Sequence, residues 1–173
     1  ARKVLDVVEA ALSAEVERRS DRSFGYSGFA QKSGHRTATS LIQEITGQSR
    51  KTVTKAISTG KDLAATVPVA EGDEADAAPP APEPWFTPLT QALSSGTLSR
   101  DQFDAIRRGL GEPPAYAADG HEGAGATEPD AADLDAADMA VAWREAAFIL
   151  IDEAAGRPVE DLGLVVQRLT GER

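Results

Sequence analysis

The chain of 173 residues carries a net charge of −10, no cysteine and only two histidines, His35 and His121. That length fits one domain with a real core, while the lack of thiols excludes disulfides, thiolate zinc sites and a cysteine nucleophile. Two distant histidines leave little for a histidine-centred active site, so neither a metal nor a cofactor is expected.

The first segment, Arg2 to Ser20, has Val4, Val7, Val8, Ala11, Leu12 and Val16 at helical spacing, with Glu9, Glu15, Glu17, Arg18 and Arg19 opposite. It predicts an amphipathic helix. Its early charges leave no apolar stretch for a secretory signal, and the absence of an initiating Met is what a fragment would show. A glycine-rich loop follows, in which Phe24, Tyr26 and Phe29 are expected to cap the core. Thr37 or Thr39 can open a second helix through Leu41, Ile42 and Ile45, which Gly47 stops. Ser49 can cap a third helix with Val53, Ala56, Ile57, Leu63 and Ala64 on its apolar line. Gly60 within it costs about 1 kcal/mol relative to alanine unless a close packing partner needs it.

Residues 67–84 hold five prolines and five acidic residues, which predicts an extended, self-repelling linker. Trp85 to Ser95 reads as a short helix ended by Gly96. Ser99 with Gln102 makes a capping box, with Leu98 stapling onto Phe103, for a helix through Ile106 and Leu110. A second linker, 111–128, precedes another box, Thr127 with Asp130. That box opens a long alanine-rich helix through Leu134, Met139, Trp143, Ala147, Leu150 and Ala154. Its longest apolar run, Ala146 to Ile151, is far short of the roughly 20 residues of a membrane span, so a soluble, cytoplasmic chain is expected. Pro158 suits the first turn of a last helix with Leu162, Val165, Val166 and Leu169 as its stripe. No β alternation of useful length appears. The expected architecture is all-α, a single helical domain of six or seven helices with two flexible linkers.

No catalytic constellation emerges. Gly25-Tyr26-Ser27-Gly28 lacks the second glycine of a nucleophile elbow, and Gly123-Ala124-Gly125 has neither a preceding strand nor the third glycine of a dinucleotide fingerprint. Asp130, Asp133, Asp135 and Asp138 lack the glycine and terminal glutamate of a calcium loop and read as a solvated helix face. His35, beside Arg36, reads as a loop or cap residue. This fragment is not expected to be an enzyme.

Charge divides the chain. Residues 1–66 hold eleven Lys and Arg against seven Asp and Glu, whereas 67–173 hold seven against twenty-one. Within the first part, Leu41 to Ile57 has the layout of a helix-turn-helix, with a turn glycine, a cap serine, and Val53 and Ile57 returning the second helix to the first. Arg50, Lys51, Thr54, Lys55, Ser58 and Lys61 then share the opposite, outward side. Lys32 and Arg36 are expected to flank it. Lys32 to Lys61 contains six cations against one anion, Glu44. Such a face can meet base edges of double-stranded DNA through its first turns while its cations neutralise phosphates. The same residues also describe an αα-hairpin with a basic outer face.

Gly47-x-Ser49-Arg50-x-Thr52-Val53-Thr54-Lys55-Ala56-Ile57 resembles the DNA-reading helix of lactose-repressor-type regulators, departing at Gln43, where those motifs favour alanine. A longer resemblance rests on five blocks. They are Glu17-Arg18-Arg19-Ser20, Gly25 to Gln31, Gly34-His35-Arg36-Thr37 with the Thr46 to Ser49 turn, Ala92 to Ser99, and Ala105 to Gly111. In order and spacing they are similar to the actinobacterial domain of unknown function numbered two-two-two, typically N-terminal to an HNH nuclease module. The resemblance implies an all-helical accessory domain with the nuclease centre beyond Arg173, and it carries no catalytic residue onto this chain. A competing expectation is a protein-interaction domain in which the helix from Asp130 to Ala155 pairs with a partner through Met139, Trp143, Phe148 and Ile151, giving a homo-oligomer.

Overall fold

A computed structural model describes residues 2–67, 83–113 and 131–171. The described chain is helical, and no strand occurs among the described residues. In order it runs α1 (Arg2–Arg18), a 3₁₀ turn (Arg22–Ser27), α2 (Phe29–Lys32), α3 (Ala38–Thr46), α4 (Arg50–Ala65), α5 (Thr87–Ser94), α6 (Arg100–Leu110), α7 (Ala131–Ala154) and α8 (Val159–Gly171). No described helix is long and apolar enough to cross a membrane. Most of both expected linkers, and the Thr127–Asp130 box, lie outside the described residues.

Local signals set most of the boundaries. Thr37 accepts from the Ser40 amide to start α3, Ser49 from Thr52 to start α4, and Ser99 with Gln102 forms the full capping box of α6. The expected helix from Trp85 begins only at Thr87. Trp85 and Phe86 stay in the preceding turn and put both rings into the core.

Two cores result. The larger gathers Trp85, Phe86, Leu89, Leu93, Leu98, Phe103, Ile106, Leu150, Leu162 and Val166 from α5–α8 and the segments before α5 and α6, with Ala10 of α1 and Leu63 of α4 joined to it. The smaller, Ile42, Val53 and Ile57 with Val16, holds the α3–α4 pair onto α1. Thus α1 and α4 belong to both. Arg107 reinforces the larger core, its guanidinium 4.8 Å from the Trp85 ring centre and 4.4 Å from that of Phe86. It also pairs with Asp62, at 3.6 Å, and with Glu112.

Two sequence expectations are corrected here. Of the expected α1 stripe only Val7 and Val16 pack, both partly buried, while Val4, Val8, Ala11 and Leu12 are exposed; the fully buried α1 residues are Ala10, Ser13 and Ala14. The cause is Gly60, where an added Cβ would stand 2.0 Å from the Ala10 carbonyl oxygen. The α1–α4 contact is therefore backbone-close, and only small side chains fit between the helices. The aromatic loop also differs: Phe24, Tyr26 and Phe29 point to solvent, with Tyr26 96% exposed, instead of capping the core.

Candidate nucleic-acid interface

The α3–α4 corner is built by short-range chemistry. The Gly47 amide donates to the Gln43 carbonyl at 2.9 Å, with φ of 69°, a left-handed conformation that closes α3 at little cost for glycine. Thr46 Oγ1 donates to the Ile42 carbonyl at 2.7 Å and accepts from the Gln48 amide at 3.3 Å. Three residues, Gly47, Gln48 and Ser49, thus separate the helices. A non-local tie then orients the turn. Gln48 Nε2 donates to Glu9 at 2.6 Å, and the other oxygen of Glu9 meets Arg100 at 3.2 Å, linking the turn to α1 and α6.

With Val53, Ala56 and Ile57 buried, the 3.6-residue period turns Arg50, Lys51, Thr54 and Ser58 outward, and all four are exposed. They form one wall of a groove of about 590 Å³ whose other wall is α6, through Asp104 and Arg108. Lys55 also lines it. Its ammonium is 2.7 Å from Asp104 and 3.6 Å from Asp101, and its side chain is only 29% exposed. Asp104 also pairs with Arg108, so one carboxylate bridges two cations. Arg50 and Lys51 have no ion-pair partner among the described residues.

The remaining expected contacts are dispersed. Lys61 is exposed but pairs with Glu17 at 2.8 Å. Lys32 ends α2 and Arg36 precedes α3. Both are exposed, beside the aromatic corner and not among the residues lining the α4–α6 groove. His35 faces Glu44 at 3.5 Å and donates its amide to the Ala30 carbonyl, a loop role. Among the described residues, no group of three His, Cys, Asp or Glu could hold a metal ion.

Sequence reasoning missed Asp104 and Arg108, which lie about fifty residues from α4 and carry no local signal. Ionisation is perturbed elsewhere. Burial pushes the Asp62 carboxyl up, against the attraction of Arg107. Partial burial likewise acts to raise Glu112, but hydrogen bonds from Arg107 and Trp85 outweigh it and hold that carboxyl below its ordinary value. Both contact Arg107 beside the larger core, Asp62 half-buried and Glu112 at the exposed edge, and their role is structural. No family model, curated protein or solved structure matches the chain.

Proposed function

We propose that this chain is a non-catalytic helical module that engages duplex DNA through the first turns of α4. The observation that carries the reading is the pair of cations, Arg50 and Lys51, that have no ion-pair partner among the described residues, beside the exposed hydroxyls of Thr54 and Ser58. They stand on a helix entered through a three-residue glycine turn. The positive end of the α4 dipole adds to their attraction for phosphate. Arg50 and Lys51 then supply phosphate contacts, while Thr54 and Ser58 face the base edges. Lys55 is held in reserve by Asp104. The resemblance to the two-two-two family extends the proposal: the module delivers an HNH nuclease attached after Arg173.

The test is duplex binding by fluorescence anisotropy across a salt series. Two unpaired cations predict a slope of log affinity against log salt near −1.8, from about −0.9 per phosphate contact. Full engagement of four would give about −3.6. Arg50→Ala/Lys51→Ala alters exposed side chains only and is expected to leave the fold intact while abolishing the slope. A flat wild-type response, or a slope unchanged in the variant, contradicts the proposal.

One observation favours a second reading, self-association. Val141, Phe148 and Ile149 of α7 are each more than half exposed, whereas Trp143 and Ile151 pack on the core. Light scattering at high concentration decides it: a dimer that Phe148→Glu converts to a folded monomer supports association, and a monomeric wild type refutes it.

A further inference from the structure

The aromatic corner between α1 and α3 is not a loose loop. Ser20 Oγ donates to the Val16 carbonyl at 2.6 Å and accepts from the Ala30 amide at 3.1 Å. The Phe29 amide donates to the Arg19 carbonyl at 2.9 Å, Asp21 caps the 3₁₀ turn through the Ser23 amide at 2.9 Å, and Ala30 is fully buried. The backbone is therefore pinned, yet Phe24, Tyr26 and Phe29 are 51%, 96% and 45% exposed. A fixed scaffold that holds three rings in water within six residues is a preformed contact surface.

Charge selects its occupant. From Arg18 to Arg36 there are five cations and one carboxylate, Asp21, which is engaged in its cap. Arg18 and Arg19 share Glu15, but Arg22, Lys32 and Arg36 are exposed and have no ion-pair partner among the described residues. An apolar protein surface would satisfy the rings and not the cations, and a duplex backbone would satisfy the cations and not the rings. A polyanion that also presents flat aromatic faces satisfies both, and that is a single-stranded nucleic acid.

We propose that this corner is a second contact surface, in which unpaired bases stack on Phe24, Tyr26 and Phe29 while Arg22, Lys32 and Arg36 neutralise the flanking phosphates. It uses none of the residues of the α4 groove, so it stands or falls independently of the duplex reading. It also gives Lys32 and Arg36 a role different from flanking α4. The module would then hold duplex on one face and an unpaired stretch on another, as at a strand junction or an opened end.

The full chain is titrated against a labelled single strand of about 20 nucleotides without self-complementarity, and separately against duplex. Tyr26→Leu is expected to weaken single-strand binding about 5- to 150-fold, the range for loss of one stacked base, and Tyr26→Trp to preserve it. Both are expected to leave duplex affinity unchanged. Arg22→Ala/Lys32→Ala/Arg36→Ala should flatten the single-strand salt slope by about 2, at about 0.7 per phosphate. Because Tyr26 lies almost wholly in solvent, these variants are expected to keep the wild-type circular dichroism. No single-strand binding by the wild type, or equal binding by Tyr26→Leu, overturns the proposal. Single-strand binding that survives Arg50→Ala/Lys51→Ala supports it, whatever happens to duplex binding.

Discussion

Asp104 is the one carboxylate among the described residues lining the α4–α6 groove, and it neutralises both Lys55 and Arg108. Asp104→Asn removes that charge while keeping the shape. A phosphate seated about 6 Å away is repelled by the carboxylate by about 0.7 kcal/mol at the dielectric of water and by about 2.8 kcal/mol at an effective value near 20. The Asp104 side chain is 15% exposed, which places it between these limits. Screening over about 10 Å at moderate salt favours the lower part of the range. The variant is therefore expected to bind duplex about 3- to 30-fold more tightly at low salt. Arg108 is released and Lys55 keeps only Asp101, at 3.6 Å, so the salt slope should steepen from about −1.8 to between about −2.7 and −3.6. Lost ion pairs at this partly exposed site cost about 1 kcal/mol or less, so the variant remains folded. Anisotropy titrations at several salt concentrations give both quantities, with thermal denaturation as the control. An Asp104→Asn protein that is folded, yet has unchanged or weaker affinity and the wild-type slope, would refute the view that Asp104 holds Lys55 and Arg108 back from phosphate.

Gly60→Ala should lower the melting temperature despite a helix-propensity gain of about 1 kcal/mol, because the new Cβ meets the Ala10 carbonyl oxygen at 2.0 Å. Overpacking of this kind costs about 1–3 kcal/mol, and a more stable variant would show that α1 and α4 are not in backbone contact. Asp62→Asn carries a pH signature. Burial raises the Asp62 carboxyl in the folded state despite the attraction of Arg107, so its contribution to stability is greatest when protonated and is lost as pH rises through its folded pKa. The variant, permanently neutral, is expected to melt at or above the wild type at neutral pH, with the gap closing in acid. A variant less stable than the wild type at neutral pH, with the deficit vanishing in acid, would mean that the Arg107 ion pair outweighs desolvation.

The legible parts of the fold are those written in neighbouring residues. Thr37, Gly47, Ser49 and the Ser99–Gln102 box act over three or four positions, so the α3–α4 corner and the start of α6 can be read directly. The outward direction of Arg50, Lys51, Thr54 and Ser58 follows from the burial of Val53 and Ile57 by the same arithmetic. The packing face of α1 is harder, because two stripes compete. Val4, Leu5, Val8 and Leu12 are more apolar, but Ala10, Ser13 and Ala14 are small enough to meet a glycine, and size decides the contact. Gly60, an unfavourable residue inside a helix, was the available clue. The state of Lys55 and Lys61 was beyond local reading, since Asp104 and Glu17 reach them only through the tertiary fold. Likewise, hydrophobicity alone places Phe24 and Tyr26 inside. Only the ties from Ser20 to Val16 and Ala30 reveal a loop held with its rings outward.

The central claim, that the first turns of α4 engage duplex DNA, is tested most directly by amide NMR of the full chain titrated with a short duplex. The account predicts perturbations concentrated at residues 50–58 of α4 and its cap Ser49, and across the groove at Asp104 and Arg108, diminishing as salt is raised. Perturbations confined to α7 and α8, or none at duplex concentrations well above those of the protein, would contradict it.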